Sequence, residues 1–279
     1  MMKRETNVCL IERFSQHLRK EEKSAATIEK YLRDVRRFLA FVGEQTITKE
    51  LVIAFKTNLL EKKYAVGSIN SMLASINSLL SFLGQTDCRA KNLRKQKKTY
   101  STEDRELTKA EYLRLVDAAR ERPQLMLIME TICSTGIRVS ELRFFTVEAV
   151  QEGTVTIRCK SKTREIIIPG NLKTVLLKYA AKEKIQQGPI FITKNGNPLD
   201  RSNIWSQMKS LCEKAGVKRS KVFPHNLRKL FARTFYGLDK DIAELADILG
   251  HSSIDTTRIY IMSTGQEHRR KIERLGFVV

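Results

Sequence analysis

No stretch of this chain approaches the roughly 20 consecutive apolar residues that cross a bilayer. The opening MMKRETNVCLIERFSQ lacks the apolar centre of a secretory signal. The cysteines are few and scattered: Cys9, Cys88, Cys133, Cys159 and Cys212. They are odd in number and never spaced C-x-x-C, which speaks against a disulfide framework or a thiolate zinc site and fits a reducing cytoplasm. Carboxylates are also short, 31 Asp+Glu against 51 Lys+Arg in 279 residues. They do not cluster as a metal nuclease would require. The nearest pair, Glu244 and Asp247, reads as a solvated helix face.

The counterpart of that shortage is a net charge of +20 and a pI near 9.9. Such an excess calls for a polyanionic partner, most simply nucleic acid, with a membrane surface as the other class. The 42% hydrophobic content is enough for a real core, and the length suits one or two domains.

Residues 8–85 carry four runs at helical spacing and no strand signal. Leu10, Phe14 and Leu18 begin the first. Thr27, Tyr31, Val35, Phe38, Leu39 and Val42 mark the second. Leu51, Ile53, Phe55, Leu59 and Leu60 mark the third, and Ile69, Met72, Leu73, Ile76, Leu79, Leu80 and Phe82 the fourth. Gly43 and Gly84 fall near helix ends. The exposed faces are basic (Arg19, Lys20, Lys23, Lys30, Arg33, Arg36, Arg37), which favours a nucleic-acid partner over a helical protein-binding module. Residues 86–104 then lose any apolar period and gain Arg89, Lys91, Arg94, Lys95, Lys97 and Lys98. This is a basic linker, either solvated or laid along phosphates.

A second domain opens near Leu107. Thr108 and Glu111 form a capping-box pattern. A buried helix runs from about Leu125 to Cys133, and Gly136 permits a tight approach just after it. Glu141 lies three residues after Arg138 and can hold its guanidinium. Residues 154–168 read as a β-hairpin: Val155, Ile157 and Cys159 alternate with Thr154, Thr156 and Arg158, Lys160 to Thr163 is the turn, and Pro169 stops the return strand. Helices are expected from Leu172 to Lys184 and Ser202 to Ala215.

The richest stretch runs from Phe223 to Tyr260. Pro224 suits the first helical position. Leu227, Leu230, Phe231 and Phe235 form a buried stripe, and His225 and Arg228 share a face beside it. Gly237 is expected to end this helix, Asp239 to cap the next, and Gly250 to stop it. Ser252 with Asp255 fits a capping box for a third short helix bearing Tyr260. Imidazoles, a fixed cation and a phenol, without clustered carboxylates, suit chemistry on an anionic phosphate.

Three motifs stand in one order: Gly136-Ile-Arg-Val-Ser-Glu-Leu142, His225-Asn-Leu-Arg228, and Leu249-Gly-His251 followed by Thr256, Thr257 and Tyr260. Tyr260 is nine positions after His251. These motifs resemble those of the tyrosine recombinases, the phage-integrase and Xer-like family, and the resemblance covers nearly the whole chain. It implies a mainly α fold with a small β-hairpin (α+β): a helical, SAM-like core-binding domain at 1–86, the basic linker at 87–104, and a catalytic domain at 105–279 whose tail helix spans about 264–279. The implied catalytic set is Arg138, Lys160, His225, Arg228, His251 and Tyr260, with Tyr260 the nucleophile. Lys160 matches the hairpin lysine although Ser161 stands where glycine is usual, and Lys162 is its rival. Lys229 stands where many relatives have histidine.

The implied partner is double-stranded DNA with a specific core site, bound by a homo-tetramer. Lys30, Arg33, Arg37, Arg89, Lys91, Arg94, Lys95, Lys97, Lys98, Lys162 and Arg258 are the expected DNA contacts. No metal, no cofactor, no small-molecule substrate and no membrane is expected, and the location is cytoplasmic. Without a further N-terminal domain, the expectation is a simple recombinase lacking a separate arm-site reader. A type IB topoisomerase shares this chemistry, and a non-catalytic DNA-binding relative would share the fold. The small N-terminal helical domain, the spare tail and the intact six residues favour the recombinase. The tail docks either on a neighbouring subunit or back on its own domain.

Overall fold

The computed structural model describes residues 7–94, 103–159, 162–193, 195–262 and 265–275. The chain divides near residue 97 into two compact units. The first is helical: α1 (Asn7–Lys20), α2 (Ala25–Val42), α3 (Lys49–Glu61) and α4 (Val66–Phe82). Ser24 and Thr48 accept hydrogen bonds from backbone amides three residues on and so start α2 and α3. The apolar stripes pack inward, with Phe14, Leu18, Val35, Phe38, Val52, Ile69, Leu73, Ile76, Leu79 and Leu80 buried. Ile53 and Leu60 of α3 face outward instead.

One acid is buried in this unit. Asp34 accepts from Lys30 Nζ at 2.9 Å, Ser75 Oγ at 3.0 Å and Arg33 Nη2 at 3.2 Å. A buried carboxylate requires such partners. This corrects the expectation of Lys30 on a free basic face: its ammonium is held by Asp34 and also donates to the Ser71 carbonyl.

The start of the basic stretch is likewise packed rather than loose. Asn77 Nδ2 donates to the Ala90 carbonyl at 2.9 Å while Asn77 Oδ1 accepts from Ala90 N at 3.0 Å. Asn70 does the same for Leu93, at 2.9 and 2.8 Å. The spacings match. Seven helical residues advance about 10.5 Å, and three extended residues advance about 10 Å. From α3, Lys49 donates to the Asp87 and Arg89 carbonyls and Lys56 to that of Lys91. Ala90 is buried, while Arg89, Lys91 and Arg94 are exposed.

The second unit contains α5 (Lys109–Ala118), α6 (Pro123–Thr135), a 3-10 turn at Val139–Phe144, α7 (Val147–Glu152), strands β1 (Thr154–Cys159) and β2 (Lys162–Ile167), α8 (Gly170–Lys182), α9 (Arg201–Ser210), α10 (Cys212–Ala215), α11 (Pro224–Asp239), α12 (Ile242–Leu249), α13 (Ile254–Ile261) and α14 (Gly265–Glu273). The Thr108–Glu111 capping box is formed. Its core centres on α6, whose Leu125, Leu127, Ile128, Met129 and Ile132 are buried with Leu227 and Leu230 of α11. Among the described residues, no helix is long and apolar enough to cross a membrane.

Several expected boundaries move. Cys159 pairs with Lys162, so the hairpin connection is two residues, not the four from Lys160 to Thr163. The expected helix from Ser202 to Ala215 breaks at Leu211 into α9 and α10. Gly237 does not end α11; the helix continues to Asp239, and Lys240 takes the left-handed cap at φ 59°. Asp241, not Asp239, caps α12, accepting from two amides at 2.7 and 3.0 Å. Ser253, not Ser252, caps α13.

Replacing Asn70 and Asn77 together by alanine should destabilise the first unit by about 1 kcal/mol per hydrogen bond lost. It should also speed tryptic cleavage at Arg89, Lys91 and Arg94, because local opening exposes that backbone. Unchanged cleavage and melting would show that the clamp adds no stability.

Candidate active site

Arg228 lies on α11 with 1% of its surface exposed. Its guanidinium reaches two helix ends. Nη1 donates to the Gly136 carbonyl at the end of α6, and Nη2 to the Leu249 carbonyl at the end of α12, 2.7 Å away. Terminal carbonyls of helices lack partners within their own helix and carry the negative end of the helix dipole, so they suit a buried cation. Gly136 is obligatory here. Its φ is +66°, and a side chain would run into the Phe231 ring. Burial, then Arg138, lowers the Arg228 pKa to about 10, with Tyr260 and Glu141 acting the other way. The group stays cationic at neutral pH.

Arg138 is held differently. Glu141, 1% exposed, accepts from Arg138 N at 2.7 Å and from Arg138 Nη1 at 3.0 Å. Arg138 Nη2 faces the Gly250 carbonyl at 3.5 Å, and the side chain remains 41% exposed to solvent. A guanidinium fixed by its carboxylate and still exposed can grip an oxyanion bidentately.

His251 follows Gly250, the left-handed cap of α12. Its Nε2 lies 3.0 Å from Arg228 Nη2 and its Nδ1 2.9 Å from Thr257 Oγ1. Arginine only donates, so Nε2 accepts and the proton sits on Nδ1, donated to Thr257. The buried Thr257 hydroxyl can equally donate, which would let the ring present Nε2–H to another acceptor. Burial, followed by Arg228, Arg138, Arg164 and His225, depresses the His251 pKa to about 4. His225 stands in the first turn of α11. Its pKa is also lowered, by the protein packed against the ring first and by Arg228, Lys229, Arg201 and Arg138 next, although part of the ring stays open to solvent.

Tyr260 on α13 is 7% exposed. Its ring centroid is 5.0 Å from each of His225 and His251, and Arg228 Cζ lies 5.9 Å from it. Arg138, His225, Arg228, His251 and Tyr260 thus gather at one place although they come from four segments of the chain, His225 and Arg228 sharing α11. Among the described residues, no group of three or more His, Cys, Asp or Glu is placed to hold a metal ion.

The remaining expected residues are dispersed. Lys160 lies outside the described residues, as do Lys95, Lys97 and Lys98, and so does the side chain of Lys162. Arg33, Arg37, Arg89, Lys91 and Arg94 are exposed on the first unit, with Arg37 bonded to the Tyr64 hydroxyl at 3.1 Å. Arg258 is exposed on α13. Lys229 turns to the buried Glu106, which also takes Arg233 at 3.3 Å. Arg233 meets Glu267 of α14 at 2.8 Å, an in-cis contact of the tail helix. Sequence reasoning missed Arg164, which bonds Glu141 at 2.8 Å, and the part played by Thr257. Arg164 is in phase with Ile166 on β2 and with Ile168 just beyond it, a signal available from the strand pattern.

Known proteins resemble this chain over nearly its whole length. Residues 105–267 match the phage integrase family, and residues 11–86 match the phage integrase N-terminal SAM-like domain. The chain is 30% identical to tyrosine recombinase XerA of Pyrococcus furiosus over 277 residues, 96% of this chain and 94% of the relative. It is 32% identical to tyrosine recombinase XerC of Herpetosiphon aurantiacus, over 84% of this chain and 83% of the relative. Among solved structures, XerA recombinase matches with a TM-score of 0.55 at 26% identity, covering 97% of this chain and 98% of that one. A lambda integrase dimer bound to a core site shares the fold, with a TM-score of 0.72 at 18% identity over 94% and 97%.

The His251 environment sets a pH dependence. An unfolded imidazole titrates near 6.5 and the folded one near 4. Between those values the unfolded chain binds more protons, so stability falls as pH drops through that window. The lowered pKa of His225 acts in the same direction. Thermal melts of His251→Gln should show a shallower fall than the native protein between pH 6.5 and 4. Parallel curves would mean that this imidazole is not the source.

Proposed function

The chain belongs to the phage integrase family, the tyrosine recombinases, and from that premise we propose that Tyr260 is the nucleophile with which it breaks and rejoins DNA at a specific site. The enzyme is a site-specific recombinase of the DNA breaking-rejoining type. The observation that carries the assignment of Tyr260 is its placement: a buried phenol between two imidazoles, against a buried guanidinium.

The Tyr260 oxygen attacks a DNA phosphodiester. A P–O(Tyr) bond forms, the bond to the 5′ oxygen breaks, and a 3′-phosphotyrosyl link and a 5′-hydroxyl result. The energy of the ester is kept, so rejoining needs no nucleotide cofactor. Arg138 and Arg228 bind the non-bridging oxygens. Donors fixed where charge develops each contribute on the order of 10²–10³ in rate. His225 serves as the general acid–base group that takes the phenol proton, and its lowered pKa keeps it able to accept. His251 donates Nε2–H to the phosphate once the Thr257 hydroxyl has taken the complementary role. The leaving 5′-alkoxide is a strong base and takes a proton from Lys160 at the hairpin turn.

The partner is double-stranded DNA with a core site, met in the cytoplasm. Solved structures of this fold include a lambda integrase tetramer bound to a Holliday junction, and four copies of this chain would be needed for two duplexes cut in pairs. Arg33, Arg37, Arg89, Lys91, Arg94, Lys95, Lys97, Lys98, Lys162 and Arg258 supply phosphate contacts.

Tyr260→Phe should abolish covalent attachment to nicked suicide DNA while leaving binding nearly unchanged, because the variant lacks just the attacking oxygen. A covalent complex that persists in this variant would assign the attack to another residue.

A further inference from the structure

Two groups assigned to the phosphate are bonded to each other in this structure. Arg228 Nη2 donates to His251 Nε2 at 3.0 Å, and the same nitrogen donates to the Leu249 carbonyl at 2.7 Å. Nη1 is taken by the Gly136 carbonyl. The Arg228 side chain is buried. A phosphate oxygen therefore reaches these donors only by taking the place of a present partner. The two carbonyls are backbone at helix ends, so the ring nitrogen is the partner that can be given up.

Giving it up changes what Nε2 must do. Beside Arg228 it accepts, and the ring proton sits on Nδ1. Beside a phosphate oxygen, which has no hydrogen to give, it must donate. The neutral ring carries one proton in both cases, and only its position changes. Nδ1 then turns from donor to acceptor, and it faces Thr257 Oγ1 at 2.9 Å. Thr257 is buried. A hydroxyl both donates and accepts, so it satisfies Nδ1 in either state, whereas a carbonyl or an ammonium would fix one of them. Without a partner there, Nδ1 would face buried apolar surface at a cost. Thr257 also stands three residues before Tyr260 on α13, so its bond to His251 ties the helix of the nucleophile to the turn after α12.

We propose that Thr257 is a positioning residue whose hydroxyl reverses its hydrogen bond with His251 when DNA enters, so that Nε2 leaves Arg228 and becomes a donor to the scissile phosphate. This rests on the reading of Arg228 and His251 as phosphate ligands. It makes the free site a closed state that its own substrate opens. The proton on Nδ1 passes to solvent and one from solvent arrives at Nε2, so the charge of the ring is unchanged. Thr257 acts through the ring and meets neither the DNA nor the reacting atoms.

The experiment reads the tautomer and the rate separately. The full chain is labelled with histidine enriched at the ring nitrogens, and the His251 signals are assigned among the four histidines by their loss in His251→Ala. Nitrogen NMR at neutral pH should show Nδ1 protonated and Nε2 bare in the free native protein and in free Tyr260→Phe. Tyr260→Phe on a duplex carrying the sequence recovered from DNA trapped covalently on the native protein should show the reverse. The same tautomer free and bound, or a bound ring protonated at both nitrogens, overturns the proposal. On a nicked duplex of that sequence, Thr257→Val should bind with native Kd yet cleave about 10- to 100-fold more slowly at saturating DNA. That is equivalent to about 1.4–2.7 kcal/mol, in the range for one buried polar group left unpaired. Thr257→Ser keeps the hydroxyl and should cleave near the native rate. In the His251→Ala background, Thr257→Val should slow cleavage little further, because its effect passes through the ring. Equal slowing in both backgrounds, or a Thr257→Ser as slow as Thr257→Val, assigns the effect to packing and overturns the proposal. The NMR comparison needs no variant at position 257 and carries the test should Thr257→Val fail to melt cooperatively. His251→Ala separates the two failures. If it cleaves at the native rate, the reading of His251 as a phosphate ligand falls first; if it is slow while Thr257→Val is not, the switch alone is wrong.

Discussion

The buried guanidinium of Arg228 is the interaction on which the catalytic unit depends. Desolvating a cation is costly, and the structure offsets that cost with the carbonyl ends of two helices, Gly136 on α6 and Leu249 on α12. The bond to Gly136 ties α11 to the helix at the centre of the core. The bond to Leu249 ties it to the turn that carries His251, and α13 with Tyr260 follows directly. One side chain therefore closes the fold and sets a fixed positive charge beside the phenol. The obligatory glycine at 136 belongs to the same device, since its bare backbone lets Phe231 and α11 approach.

The scarce carboxylates follow a common pattern. Asp34, Glu106 and Glu141 are the buried acids among the described residues, and each is shared by two cations. Asp34 holds Lys30 and Arg33, Glu106 holds Lys229 and Arg233, and Glu141 holds Arg138 and Arg164. Each pairing leaves one net positive charge near a fixed point. These three acids act inward as positioning groups, and the 51 Lys+Arg against 31 Asp+Glu leave the basic excess that a polyanionic partner meets.

Much of this was legible from sequence because helices announce themselves through periodicity. The four stripes of residues 8–85, the buried α6 and the hairpin at 154–168 were all readable, and the mainly α fold with a small hairpin is the fold observed. Boundaries slipped where neighbouring residues offer equivalent caps. Asp239 and Asp241, like Ser252 and Ser253, are identical side chains one or two positions apart, and tertiary packing chooses between them. The Asn70 and Asn77 clamp was invisible because both partners of each bond lie far apart in sequence and one partner is plain backbone. Lys30 looked like a surface charge although its acid, Asp34, stands one helical turn on, because the burial of Asp34 is set by packing against α4 and not by the local pattern. At the site, motif order alone singles out five residues that the fold brings together. The link from Glu141 to Arg164 crosses from a 3-10 turn to a strand, and no local pattern encodes such a contact.

If Arg228 holds the fold as well as the charge, removing the charge at constant size must cost stability. The thermal unfolding of Arg228→Met, measured beside the native protein, tests this directly. Two carbonyls lose their donor, and each such loss costs about 1–3 kcal/mol. The variant is therefore expected to melt several degrees lower, at about 2–4 °C per kcal/mol for a unit of this size, and to form no covalent complex with DNA. A variant that melts at or above the native temperature would contradict the account, because the buried cation would then be a burden that the fold carries for catalysis alone.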